Sequence, residues 1–200
     1  NEIFSRVKDV KISIKTRIGF YSEEEFPKIL EIFNKYDIYE LTIHPRTGME
    51  KYGGVPRLHL LDNLDKLTSI PIIYNGDIKS KHDIEYIKNR FPYLKGIMLG
   101  RGLIGRPFIL SDMSEEEIRS HLKDYYLELV NDAISEIGWG NAKFFAKEIW
   151  VFMQEAYEIP DNLKKKPFKQ EKADNFLDIV TQIMDACPLN LSNELNDSFR

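Results

Sequence analysis

Apolar and polar residues alternate over residues 10–18, with Ile and Val prominent, and the run stops at Gly19, which predicts a strand leaving its sheet. A helix is predicted next. Ser22 with Glu25 three residues on has the pattern of a capping box, and Phe26, Ile29, Leu30, Phe33 and Tyr36 recur at helical spacing. A short strand over 40–43 leads into a loop punctuated by Pro45, Gly48, Gly53, Gly54 and Pro56, then a predicted helix over 57–67. The pattern repeats with an apolar strand at 70–74, a helix from the Ser80 cap to about Asn89, and a further strand at 96–99. Strands that alternate with helices in this way predict βαβ units and a parallel sheet, buried on both faces, in which a doubly wound sheet and a barrel are both allowed.

From Ser114 the periodicity changes. Ser114 with Glu117 is another capping box, and amphipathic stretches over 114–137, 141–158 and 171–186 predict helices only. The chain therefore divides into an α/β part over 1–112 and a helical part over 113–200, with a short linker near 110–113. Pro160, Pro167 and the lysine run 164–166 mark a loop between helices.

Composition places the chain among globular proteins: 200 residues, 42% hydrophobic and 30% charged, enough for one good core and an appendage. No apolar run approaches the roughly 18 residues that span a bilayer, and residues 1–10 lack a charged-then-apolar leader pattern, so no membrane partner and a cytoplasmic location are expected. A lone cysteine, Cys187, and four dispersed histidines spell out no metal site. The net charge of −4 argues against a general nucleic-acid binder but conceals an asymmetry: 18 Lys+Arg against 14 Asp+Glu up to residue 110, and 10 against 18 beyond it.

In parallel α/β folds ligands sit at the carboxyl ends of strands, and four such ends carry chemistry here. The first offers Ser13, Lys15 and Arg17 on one side of a strand, then Gly19; unpaired buried cations would need anions or electron-rich acceptors, unless that strand is an edge with one wet face. The second offers His44, Pro45, Arg46 and Thr47, a possible donor and a guanidinium able to grip paired oxygens; a lone histidine is more often structural. The third, Asn75-Gly76-Asp77, is also an ordinary turn sequence. The fourth, Gly100-Arg101-Gly102, has the small residues and the cation of a phosphate clamp, and β/α barrels often place that clamp after their last two strands.

In this order and spacing, Lys15-Thr16-Arg17-Ile18-Gly19, His44-Pro45-Arg46-Thr47, Asn75-Gly76-Asp77-Ile78 and the run from Gly100 to Pro107 resemble the tRNA-dihydrouridine synthase family. The match is specific over about residues 1–110 and loose in the tail. The resemblance implies a (β/α) barrel of TIM type, represented by about its last four βα units, followed by a tRNA-contacting α-helical domain. It implies an FMN enzyme that reduces the C5–C6 bond of a tRNA uridine with NADPH or NADH. Lys15 would contact the flavin ring, His44 the flavin and the base, and Arg17 and Arg46 the uridine. Asn75, Gly76, Asp77, Gly100 and Arg101 would bind the rest of FMN. The family's proton-donating cysteine sits in an Asn-x-Gly-Cys-Pro motif that this sequence lacks, so no catalytic residue is assigned here, and Cys187, in the helical part, is given no such role.

Two other readings stay open: a Schiff-base aldolase using Lys15, and a non-catalytic truncated barrel that binds RNA or a partner. Half a barrel would leave unpaired strand edges, so self-association is expected. Lys143, Lys147, Lys164, Lys165, Lys166, Lys169 and Lys172 form a possible RNA patch or a solvated face, whereas Trp139, Phe144, Phe145, Trp150 and Phe152 read as core.

Overall fold

The computed structural model describes residues 2–7, 9–191 and 199. They form two compact units, one built on the chain up to Gly100 together with Phe199, the other beginning at Arg101. Compactness divides the chain at that point, while the change of sequence character at 112/113 marks the Ser114 cap of the longest helix.

The first unit is α/β. Helix α1 (Glu2–Arg6) precedes strand β1 (Ser13–Arg17); a 3-10 turn (Glu23–Glu25) and α2 (Phe26–Phe33) lead to β2 (Glu40–His44), and β3 (Ile72–Asn75), α3 (Lys81–Arg90) and β4 (Gly96–Met98) complete it. All pairings are parallel and the spatial order is β1-β2-β3-β4. Every strand adds beside its predecessor with no reversal, which is the winding of a barrel rather than of a doubly wound sheet.

Registration separates two faces. Lys15 pairs with Thr42 and Arg17 with His44, so these share one face; Leu41, Ile43, Ile72 and Tyr74 share the other and are at most 2% exposed. Phe26 and Leu30 of α2 and Ile87 of α3 are the buried apolar residues of their helices. Both capping boxes read from the sequence in this unit's α2 entry and in the helical unit are formed, at Ser22 with Glu25 and at Ser114 with Glu117, and Ser80 makes a third with Asp83.

The predicted helix over 57–67 is instead two 3-10 turns, Leu58–Leu61 and Leu64–Lys66, separated by an extended Asp62 and by Asn63 at φ 61°. Leu58, Leu61 and Leu64 are all buried, and their spacing of three suits the three-residue 3-10 repeat.

The second unit is helical: α4 (Arg101–Gly105), a 3-10 turn (Pro107–Leu110), α5 (Glu115–Met153), α6 (Asp161–Lys164) and α7 (Ala173–Ala186). Gly138 breaks α5 with φ 70° and ψ 155°, separating the two helices that the sequence predicts there. Across the break, Tyr126 Oη donates to Ala146 O at 2.8 Å and the Tyr126 and Trp150 rings lie 5.6 Å apart. Val130, Trp150, Phe176, Val180 and Met184 are fully buried in this core. Arg119 caps the end of α7 through Met184 O and Cys187 O. Phe144, expected in the core, is 68% exposed, because it lies off the Ala142, Ala146, Trp150 stripe. Among the described residues no helix is long and apolar enough to cross a membrane.

Candidate functional site

Beyond their carboxyl ends, β1 and β2 remain stitched together. Ile18 N donates to Arg46 O, Gly48 N to Gly19 O at 2.8 Å, and Met49 N to Phe20 O at 3.0 Å. The close approach needs glycine at Gly19, where a β-carbon would meet Ser22 O at 2.1 Å, while one on Gly48 would meet the exposed Phe20 ring at 2.7 Å and push it aside. Glu25 accepts from the amides of Phe20, Tyr21 and Ser22, and these bonds hold its carboxyl below the usual range.

Lys15, Arg17, His44 and Asn75 lie along one face of the sheet at this end, as read from the strand registers. Lys15 Nζ has no hydrogen-bond or ion-pair partner among the described residues, and although the residue is exposed, partial desolvation, then the neighbouring Arg17 charge, lowers its pKa. Arg17 Nη1 donates to Thr47 O at 2.6 Å, and its guanidinium lies 5.8 Å from the centre of the Tyr52 ring. Asn75 Nδ2 donates to Met98 O at 2.8 Å, joining the ends of β3 and β4.

His44 and Arg46 are both buried. Arg46 meets Asp77 in a two-point ion pair, Nη1 to Oδ1 at 3.0 Å and Nη2 to Oδ2, and Nη2 also donates to Gly54 O at 2.8 Å. Nη1 lies 3.1 Å from His44 Nε2. Burial first, then the charges of Arg17, Arg46 and Lys15, push the His44 pKa down to about 4 against the opposing pull of Asp77. Gly76 (φ 156°) and Asp77 (φ 44°) both adopt positive φ, and this turn carries Asp77 to Arg46.

A second polar cluster escaped the sequence reading. Glu50 accepts from Thr47 N and Oγ1 and from both terminal nitrogens of Arg57, whose Nε pairs with Glu23; His59 reaches Glu23 at 3.1 Å. Arg57 above all holds the Glu50 carboxyl down at about 2. Thr47 followed three residues later by a glutamate was the available local signal.

Of the residues chosen from the sequence, Lys15, Arg17, His44, Arg46, Asn75, Gly76 and Asp77 gather at the strand ends of the first unit. Gly100 ends that unit, and Arg101 begins α4 of the second. In the helical unit, Lys143 and Lys147 both reach Glu171, at 3.1 and 3.8 Å, so part of the basic patch is paired locally. Cys187 is buried in the helical core.

Comparison with known proteins bears on this arrangement. Residues 1–183 match the family described as Dihydrouridine synthase (Dus). The chain is 32% identical over 123 residues to a probable tRNA-dihydrouridine synthase of Aquifex aeolicus (strain VF5), covering 60% of this chain and 38% of that protein. A probable tRNA-dihydrouridine synthase of Rhizobium leguminosarum bv. phaseoli is 29% identical over 153 residues, covering 68% of this chain and 48% of the relative. For tRNA-dihydrouridine synthase B of Shewanella oneidensis the identity is 29% over 106 residues, with coverage of 52% and 33%. The chain thus spans less than half the length of each of these relatives.

Proposed function

We propose, because the chain belongs to the dihydrouridine synthase family, that it supplies the flavin- and uridine-holding part of an enzyme that reduces a tRNA uridine to dihydrouridine. FMN is the proposed cofactor and NADPH or NADH the reductant. The observation that carries this reading is the set of donors on one sheet face: the unpartnered Lys15 ammonium, the Arg17 guanidinium and the neutral His44 ring. Uracil and the flavin ring both present carbonyl oxygens, so a donor-rich, acceptor-poor surface fits them.

In this reading Lys15 and His44 face the flavin ring and Asn75 and Gly76 its side chain. Gly100 and Arg101 are assigned to the phosphate on their sequence pattern. Bound there, FMN would supply hydride to the uracil ring. Lys15 and Arg17 place positive charge where negative charge develops on a pyrimidine carbonyl. Arg17 is half-buried and tethered through Thr47 O, so its orientation is set before a base arrives. Arg46 and Asp77, expected to hold uridine and cofactor, spend their side chains on each other and brace the β2 and β3 loops.

The helical unit is the proposed tRNA-contacting part, through Lys164, Lys165, Lys166, Lys169 and Lys172. tRNA affinity should then fall steeply with salt, and neutralising these lysines should flatten that slope.

Flavin absorbance of the purified protein tests the cofactor: Lys15→Ala is expected to weaken FMN retention, and unchanged retention removes Lys15 from the site. The lowered pKa of Lys15 also suits a Schiff-base nucleophile. Borohydride trapping of a carbonyl substrate on Lys15, in a protein without flavin, would favour that reading instead.

A further inference from the structure

Arg46 is 1% exposed, the most deeply buried cation among the described residues of its unit, and its neighbours define what it does. A guanidinium carries five donors and no acceptor. With Arg46 Nη1 at 3.1 Å, His44 Nε2 must contribute its lone pair. We propose that Arg46, clamped by Asp77, is a positioning residue that holds His44 as its Nδ1–H tautomer, so that the ring offers a bound ligand one hydrogen-bond donor and no base.

The clamp is over-determined. Both Asp77 oxygens meet the terminal nitrogens of Arg46, and Gly54 O takes a further bond at 2.8 Å. The orientation is held strongly enough that Arg46 Nε stays buried without a hydrogen-bond partner. The turn that delivers Asp77 passes close to the ring: a β-carbon on Gly76 would lie 3.0 Å from Tyr74 Oη and 3.6 Å from His44 Cδ2.

The charged groups around His44 are Lys15 and Arg17 on β1, Arg46 on its own loop, and Asp77 after β3. Three cations oppose one carboxylate, and the buried ring stays neutral at physiological pH. Its Nδ1 has no partner among the described residues, so that N–H remains available.

The chemical consequence concerns selection and proton traffic. A fixed N–H donates to a carbonyl oxygen and disfavours an amino group at the same place. With Nε2 occupied by Arg46, the ring neither takes up nor relays a proton, so any proton delivered during reduction comes by a route that excludes His44. Arg46 acts through His44 and does not itself touch the substrate.

This rests on the reading of His44 as a ligand-facing group, but its test needs neither flavin nor RNA. Histidine-selective ¹⁵N labelling with long-range ¹H–¹⁵N correlation reads the tautomer directly, and the His44 signals are assigned by their loss in His44→Gln. The unmutated protein should show the Nδ1–H form, with the ring still neutral at pH 6. Arg46→Met should populate the Nε2–H form and move the ring's titration from about 4 towards the ordinary 6.5. Asp77→Asn, which keeps the shape and removes the anchoring charge, should give a mixture of tautomers. An Nε2–H ring in the unmutated protein overturns the proposal without recourse to any variant. Unchanged ring signals in folded Arg46→Met and Asp77→Asn overturn it as well. Loss of FMN binding in other tests leaves this result standing, and the converse also holds.

Discussion

Asp77→Ala should destabilise the α/β unit far more than a surface ion pair would. Arg46 and Asp77 are 1% and 13% exposed, and they meet at two points. Two unit charges about 4 Å apart at an effective permittivity of about 20 attract by about 4 kcal/mol. Truncating one partner also leaves the other charge buried, and such losses run to about 3–5 kcal/mol, against a total of about 5–15 kcal/mol for a typical domain. After the change the Arg46 guanidinium keeps, among the described residues, Gly54 O and His44 Nε2. Tryptophan fluorescence is the wrong probe, since Trp139 and Trp150 both lie in the helical unit. Native-state hydrogen exchange at the amides of β2 and β3 reads the right unit, and their opening free energy should drop by that amount. Arg46→Met combined with Asp77→Ala should recover part of the loss, because no charge is then left unmatched. A loss below about 1 kcal/mol for Asp77→Ala, the range of exposed pairs, would refute the reasoning.

Glu50 sets an acid limb. Its folded pKa of about 2 lies below the ordinary 4.5, so its stabilisation is present above pH 4.5 and disappears as pH falls towards 2. Denaturation measured across that window should lose part of its pH slope in Glu50→Gln; an identical slope would contradict the network around Arg57. Two glycines of the helical unit should respond with opposite signs. At Gly138 (φ 70°, ψ 155°) alanine should cost about 1–3 kcal/mol through backbone strain alone, since nothing lies within 4 Å of the added carbon. At Gly140, helical and equally open, alanine should stabilise by about 0.5–1 kcal/mol, and tryptophan-monitored denaturation follows both. Among the described residues β1 and β4 each pair on one side only, so the isolated chain should sediment as a dimer or larger species, and a compact, stable monomer would count against exposed edges.

What the sequence made legible was local. Capping boxes span three residues, the strands announce themselves as β-branched runs, and the break between the two long helices shows as Gly138 and Gly140 flanking Trp139. Residues 57–67 were misread because leucines three apart also fit one face of an α-helix, and only the left-handed backbone at Asn63 decides between the two. The candidate residues at the ends of β1, β2 and β3 do lie near one another, yet the partnership of Arg46 with Asp77 is not legible in the sequence. Those residues are 31 positions apart, and their meeting depends on positive φ at Gly76 and Asp77. Opposite charges at the mouths of neighbouring strands were the one hint available. The Glu50 cluster lay hidden in a loop whose path no periodicity encodes.

The strand order has a kinetic meaning. Each strand of the sheet pairs with the one before it in the chain, so no pairing waits on a distant segment. Loop-closure entropy grows only slowly with loop length, so these crossovers cost less than pairings between the chain's far ends would, and rates of folding rise as contacts become more local. A chain emerging from the ribosome at about 5–20 residues per second can therefore lay down this sheet one strand at a time. The donors of the proposed ligand face, Lys15 and Arg17 first, would be in place before the turn carrying Asp77 is made. The brace between Arg46 and Asp77 would then close as a late latch on a surface already assembled.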